Sequence, residues 1–209
     1  MKLAVEISQL SGKQLNLPTA NPPDLPTSMT LLKSFDLPAG PYSLSKHGDT
    51  ALVGLSDGKI MQLNYKTNIQ SVFVDTGTRV AVSGIHVYKN MVYALLEQVS
   101  KVNVYHLHTR QVIRSWLHDS SGQSFNKLRV RNDKVIIPNK RIPSITIYSL
   151  QGQLIKQITI PGMTKSEKAL ALCGDDSVVL YDYESHSVIR VNIDSGEVMW
   201  TSKHVQYPQ

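Results

Sequence analysis

Two groups of side chains in this 209-residue chain could take part in metal or thiol chemistry. His106 and His108 are two positions apart, and on a strand that spacing places both rings on one side, as a pair of metal ligands requires. Two ligands are too few for a zinc site, so the spacing favours a histidine pair at the edge of a turn. Cys173 is the single cysteine and has no His in the same motif to activate it, which favours a structural thiol. We therefore predict no catalytic residue, no metal site and no cofactor.

Four copies of a four-strand pattern follow one another along the chain. The apolar residues that begin the third strand of each copy are Ile60, Val102, Ile145 and Val188, which are about 43 positions apart. Within each copy, apolar and polar residues alternate between turn signals, which is typical of antiparallel strands. A sheet motif repeated at this period is typical of a β-propeller, whose blades bury their faces against one another. The predicted repeats cover approximately residues 41–75, 80–118, 124–161 and 166–204.

One further strand is predicted before the first repeat. Residues 31–35 match the outermost-strand residues 112–116 in character, which gives five outer strands for four blades. We therefore expect an all-β fold built as an open arc of four four-stranded blades plus one extra N-terminal outer strand, a fragment of a six-bladed ring. The two ends of such an arc would expose apolar faces, which predicts self-association there.

The composition and the N-terminal region complete the predicted organisation. Residues 1–28 are predicted to be a Pro-rich linker, because four prolines between positions 18 and 26 remove backbone donors. The remainder, 29–208, is assigned to the blades. The chain is 41% hydrophobic with a formal charge of +6, which suits a folded domain with a mild basic bias. It has no apolar run of membrane-spanning length and no signal-peptide pattern, so we expect a cytoplasmic protein without a membrane partner.

The blade arrangement predicts one rim that carries binding residues. Turns from the second to the third strand share a rim with the connections that lead to the next inner strand. We predict that this rim gathers the binding residues Lys59, Arg79, Lys101, Lys140, Arg141, Lys165 and His186. Acidic neighbours such as Asp57 and Glu97 dilute the charge, so its most positive sector is expected at Lys140 and Arg141. The functional interpretation is a site for an acidic peptide or a nucleic-acid backbone, and ordinary solvated loop charge is the alternative.

Residues 144–161 and 177–200 resemble the NHL-type β-propellers at the C-terminus of tripartite-motif proteins. Repeats of that family carry an Asp at the end of the second strand and a basic residue just before the third. Asp182 matches the first position, and Lys59 and Lys101 match the second. The resemblance covers residues 29–208, and the Pro-rich start is similar to the family's connector after its coiled coil. It implies a parent RING-type E3 ubiquitin ligase whose RING and self-associating coiled coil lie in sequence outside this chain.

We therefore predict a non-catalytic binding or scaffold module that recognises a protein substrate or partner, with RNA as a second class of partner. The alternative is a calcium-dependent lactonase-like six-bladed hydrolase. That enzyme would need carboxylate and Asn ligands that converge on the central channel. The predicted inner strands offer no acidic cluster, which favours the binding module; their polar residues are Ser43, Ser45, Ser83, His86, Asn126 and Lys127.

Overall fold

The computed structural model describes residues 2–4, 34–118, 127–139, 142–164 and 168–203. These residues contain eighteen β-strands and no helix, so none of their segments is a helix that could cross a membrane. The chain divides into two compact units, residues 1–38 and residues 39–209. All sixteen strands from β3 to β18 belong to the second unit.

The second unit consists of four four-stranded antiparallel sheets arranged in a ring, as a four-bladed β-propeller. Each sheet is a meander in chain order, because every strand pairs with the strand that follows it. Blades 1 and 2 contain β3 (Pro41–His47), β4 (Thr50–Leu55), β5 (Lys59–Asn64), β6 (Ile69–Asp75), β7 (Val82–Tyr88), β8 (Met91–Leu96), β9 (Lys101–His106) and β10 (Val112–Leu117). Blades 3 and 4 contain β11 (Arg129–Arg131), β12 (Lys134–Pro138), β13 (Ser144–Ser149), β14 (Leu154–Thr159), β15 (Lys168–Cys173), β16 (Ser177–Asp182), β17 (Ser187–Asn192) and β18 (Val198–Lys203). The predicted propeller fold is confirmed.

The four blades are arranged in a ring, and the apolar clusters of the described residues join blade 1 to 2, blade 2 to 3 and blade 3 to 4, with none that joins blade 4 to blade 1. A six-bladed parent ring stays a prediction about sequence outside this chain. One detail of the prediction differs from the structure, namely the pairing of the extra strand. Strand β2 (Ser34–Asp36) does not complete a blade but pairs antiparallel with β1 (Lys2–Ala4) in a separate two-stranded sheet of the first unit. Strand β1 therefore lies inside the segment predicted as linker, while the remaining linker residues, 5–28, and residues 31–33 lie outside the described residues.

Apolar residues pack between consecutive blades. One cluster joins Leu52, Ile60 and Phe73 of blade 1 to the first three strands of blade 2. A second cluster lies between blades 2 and 3, and a third lies between blades 3 and 4. The middle strands are therefore buried on both faces, which explains their nearly continuous apolar sequence, whereas the outermost strands keep exposed positions.

The innermost strands show how evenly this packing is repeated. Ile85, Leu128 and Leu170 occupy the equivalent position in blades 2, 3 and 4, and each is at most 4% exposed. Leu44 occupies the same position in blade 1 and is 45% exposed. The face of blade 1 that points away from blade 2 is therefore covered less at this position than the corresponding faces of the other blades.

Polar contacts between hairpin turns fix the relative positions of blades 2, 3 and 4. The Tyr88 hydroxyl donates to Asp133 at 3.0 Å, and the Lys89 ammonium lies 2.7 Å from the same carboxylate. Arg131 in turn contacts Asp175 of blade 4 at 3.1 Å. Since each of these turns belongs to an inner hairpin, the contacts form a polar seam beside the apolar clusters.

Gly152, in the turn between β13 and β14, provides the sharpest test of this packing. Its φ is +85°, and a Cβ at this position would lie 2.5 Å from Cδ2 of Trp116 in blade 2. Gly152→Ala should therefore lower the free energy of unfolding by about 2–4 kcal/mol, from left-handed strain plus overpacking. Urea denaturation measures this loss.

The matched control is Gly77→Ala, because Gly77 also has a positive φ but a Cβ there would meet no atom within 4 Å. This control should lose only the backbone contribution, about 1 kcal/mol. Equal losses in the two variants would show that the Trp116 ring does not constrain the turn.

Candidate functional site

The predicted rim brings turns and connections side by side at two blade junctions. The Thr76 amide donates to the Gly58 carbonyl at 3.3 Å, which joins the β4–β5 turn to the segment that leads into blade 2. The His118 amide donates to the Ser100 carbonyl at 2.6 Å, which joins the β8–β9 turn to the segment after β10. These bonds satisfy backbone groups of irregular segments at the surface.

Four of the seven predicted binding residues lie in the described residues. Lys59 begins β5, Lys101 begins β9, and Arg79 lies in the connection between β6 and β7. His186 lies in the turn before β17, where its Nδ1 is 3.3 Å from the Tyr181 hydroxyl. Lys140, Arg141 and Lys165 lie outside the described residues, so the sector predicted to be most positive is not described.

The neighbours of these four residues limit the charge that they offer to a partner. Lys59 forms an ion pair of 2.6 Å with Asp57, and the hydrogen bond that the Lys59 ammonium donates to that carboxylate raises the pKa of Lys59. The turn of Lys59 lies beside the segment of Arg79, because Gly58 approaches Thr78 closely. No hydrogen bond between described residues joins Lys101 or His186 to that pair.

Asp182 is the last residue of β16, the second strand of blade 4, where the NHL-type repeats carry an Asp. In this structure its contacts are with the protein's own backbone and side chains. Its carboxylate is fully buried and accepts hydrogen bonds from the amide and the hydroxyl of Thr164, both at 2.6 Å. It also accepts from the Glu184 amide at 3.2 Å. The residue opposite it on β17 is Ser187, which carries no charge. Asp182 therefore holds the connection between blades 3 and 4 against the end of β16.

The histidine pair and the cysteine occupy ordinary structural positions. The rings of His106 and His108 meet edge to face with centroids 5.8 Å apart, and the Thr109 amide donates to Nδ1 of His106 at 3.2 Å. Cys173 is a half-buried thiol at the end of β15. Among the described residues, no three His, Cys, Asp or Glu side chains are grouped so that they could hold a metal ion.

A different set of cations lies on and around the innermost strand of blade 3. Arg131 and Lys134 each pair with a carboxylate of blade 4, Asp175 and Asp194 respectively. Arg129 has no such partner. Its Nη1 donates to the Leu128 carbonyl at 2.8 Å, and no carboxylate of the described residues pairs with it. Arg129 is half-buried, and that burial lowers the pKa of its guanidinium, which still carries its charge at neutral pH.

Two neighbours complete this inner-strand cluster, which we define as His86, Lys127 and Arg129. Burial and, to a smaller extent, the positive charge of Arg129 together lower the pKa of His86 to about 4. His86 is therefore neutral at pH 7, so it adds no positive charge to that of Lys127 and Arg129. The Lys127 ammonium donates to the Tyr42 carbonyl of blade 1 at 2.8 Å, so this side chain reaches from blade 3 to blade 1.

Arg129 was not among the seven predicted binding residues, although a signal for it was present in the sequence. Leu128 and Val130 pack in the cluster between blades 2 and 3. Because successive side chains of a strand point to opposite faces, Arg129 must face away from that cluster. The sequence alone could not show that Arg131 and Lys134 are neutralised by blade 4 whereas Arg129 is not.

Comparison with known proteins supports the fold and leaves the family open. No protein-family model matches this chain, and no curated protein matches it in sequence. Among solved structures, the chain is similar to the crystal structure of the computationally designed Ika4 protein, with 21% identity and a TM-score of 0.57. The match covers 76% of this chain and 94% of that one. At this identity the likeness bears on the fold alone, so the tripartite-motif assignment is not supported by these comparisons.

The low pKa of His86 makes a prediction about stability and pH. The unfolded chain takes up a proton near pH 6.5, but the folded chain does so only near pH 4. The free energy of unfolding should therefore fall as the pH decreases from about 6.5 to 4, by about 3 kcal/mol from this residue. The dependence should disappear in His86→Gln, as measured by urea denaturation across that range.

His47→Gln is the matched control, because His47 is an exposed histidine on the innermost strand of blade 1. This control should retain the pH dependence of the parent protein. Parallel stability curves for the parent and His86→Gln would contradict the assignment.

Proposed function

We propose that this chain is a non-catalytic binding module whose inner-strand cluster captures a carboxylate-rich segment of a protein partner. The observation that carries the proposal is the half-buried guanidinium of Arg129, which has a carbonyl acceptor but no carboxylate partner among the described residues. The propeller fold fits a binding or scaffold module, since it presents rigid surfaces built from repeated sheets.

The energetic argument concerns the cost of an uncompensated buried charge. Partial burial removes water from the Arg129 guanidinium, and one carbonyl acceptor replaces only part of the lost hydration. A guanidinium has five N–H donors in a planar fork that matches a carboxylate, so a partner carboxylate would restore both charge balance and hydrogen bonding. An acidic segment is therefore the ligand that gains most from this position.

The pairing of the surrounding cations favours an acidic protein segment over a nucleic acid. Nucleic-acid affinity comes mainly from several cations that neutralise successive phosphates. Arg131 and Lys134 are already paired with carboxylates of blade 4, which reduces the number of charges on offer. A peptide carboxylate needs only one well-placed guanidinium.

A more specific version of this proposal is that the module recognises the substrate of a tripartite-motif ubiquitin ligase in the cytoplasm and has no cofactor of its own. Its support is the resemblance of residues 144–161 and 177–200. Sequencing the full transcript tests it, and an upstream RING and B-box followed by coiled-coil heptads are expected. A transcript without these domains would rule out the tripartite-motif ligase but would not affect the binding proposal.

The binding proposal is tested by fluorescence anisotropy with a labelled oligoglutamate peptide at low salt, with oligouridylate RNA as a parallel probe. Oligoglutamate should bind, and Arg129→Gln should weaken its binding by about tenfold or more, because hydrogen bonds to charged groups contribute on this scale. Arg129→Lys, which keeps the charge without the planar fork, should lose less.

Arg131→Gln is the matched control on the same strand, and it should leave the affinity close to that of the parent because Arg131 is already paired with Asp175. The proposal fails if oligoglutamate does not bind, or if the two glutamine variants lose affinity equally. Binding of oligouridylate alone, abolished by Arg129→Gln, would replace the protein partner by RNA.

A further inference from the structure

A cleft of about 260 Å³ lies between blades 2 and 3, away from the residues of the inner-strand cluster. Blade 2 contributes the β7–β8 turn and side chains from β8, β9 and β10, and blade 3 contributes Leu150 and Gln151 from the β13–β14 turn. The volume is just below the range of about 300–1,000 Å³ that is usual for small-molecule sites, so any ligand must be small.

Three of the lining residues form one row across blade 2. Tyr93 lies directly opposite Val104 in the β8–β9 pair, and Val104 lies directly opposite Arg114 in the β9–β10 pair. Residues directly opposite each other on paired strands share a face of the sheet. The row therefore presents a phenol, an aliphatic side chain and a guanidinium side by side on the wall of the cleft.

Tyr93 lines the cleft with an unused polar group. The residue is only 2% exposed, and its hydroxyl makes no hydrogen bond to any residue that the structure describes. Burial raises the pKa of Tyr93, so the phenol keeps its proton at neutral pH and remains a hydrogen-bond donor. Because Tyr93 lines the cleft and its hydroxyl has no partner among the described residues, that hydroxyl is available to an acceptor of a ligand.

The two cations of the cleft differ in how they are paired. Lys89 is neutralised by Asp133, which lies 2.7 Å away and also accepts a hydrogen bond from Tyr88. Arg114 donates from Nη1 to the Leu150 carbonyl at 3.2 Å, and no carboxylate of the described residues pairs with it. That bond anchors the guanidinium across the blade junction and uses one of its five N–H groups. The cleft therefore has one uncompensated positive charge.

We propose that this cleft binds a small carboxylic acid with a short apolar stem. The carboxylate accepts hydrogen bonds from the Arg114 guanidinium and the Tyr93 hydroxyl, while the stem packs against Val104 and Met91. A carboxylate fits better than a bulkier anion, because the planar fork of Arg114 and the single Tyr93 donor match two coplanar oxygens. This site is independent of the proposed function, since Arg129 does not line the cleft.

Isothermal titration calorimetry of the full chain tests the proposal with phenylacetate, with its uncharged analogue phenylacetamide and with inorganic phosphate. Phenylacetate should bind with a Kd on the order of 1 mM or tighter, as a ligand of about ten non-hydrogen atoms allows. Phenylacetamide should bind at least about tenfold more weakly, because it lacks the charge that Arg114 recognises. Phosphate should bind more weakly than phenylacetate because it has no stem.

Two variants and a control assign the binding to this cleft. Arg114→Gln should weaken phenylacetate binding by about tenfold or more, and Tyr93→Phe, which keeps the packing, by a few-fold. Arg110→Gln is the matched control, since Arg110 lies in the same blade but donates to the Val72 carbonyl at the junction with blade 1. It should bind phenylacetate as the parent does.

The outcomes separate clearly. Equal binding of phenylacetate and phenylacetamide, tighter binding of phosphate, or no binding of any probe would overturn the proposal. If Arg114→Gln does not fold, unchanged affinity in Tyr93→Phe and equal affinity for phenylacetate and phenylacetamide in the parent would still overturn it. Failure here leaves the inner-strand proposal untouched, because that proposal depends on Arg129 and a different probe.

Discussion

The burial of both faces of the middle strands between neighbouring sheets is the interaction on which this structure depends. A four-stranded sheet alone would leave an apolar face in water, but stacking each sheet against the next removes residues such as Ile60, Ile136 and Ile147 from solvent. Because the same apolar positions recur in every copy, the same packing recurs at successive junctions. Leu44, which is half exposed, shows that this repetition is least complete on one face of blade 1.

Several charged side chains hold the stacked sheets in place relative to one another. Asp133 joins two turns, Arg131 and Lys134 reach carboxylates of blade 4, and Asp182 ties down a connection. In the sequence alone, these charged residues could be taken for a binding surface. Their pairing shows that they are part of the architecture.

Arg129 and Arg114 are among the arginines that this pairing does not include, and each proposal depends on one of them. Arg129 and Arg114 are each held by a backbone carbonyl and lack a carboxylate among the described residues. They lie in different surroundings, one on an innermost strand and one in a cleft with a buried phenol. The same chemistry therefore favours a large acidic partner at the first position and a small acid at the second.

Repetition made much of the fold predictable, and the errors occurred where repetition ended. Residues 31–35 have the pattern of an outer strand, yet β2 pairs with β1, because a local pattern does not specify which strand will be its partner. The row of Tyr93, Val104 and Arg114 could have been aligned from the repeat, but the lack of an acidic partner could not.

The amino-acid sequence by itself determined that strands alternate with turns at a period near 43 residues, and hence that four sheets form and stack, because periodicity and turn chemistry act over short distances along the chain. Only the tertiary structure decided which charges are neutralised. The salt bridges between blades join residues that are 44 to 60 positions apart, as in Arg131 with Asp175 and Lys134 with Asp194, and their formation depends on the way that two blades meet. Arg129 and Arg114, which have no carboxylate partner among the described residues, are the cations that we propose bind ligands.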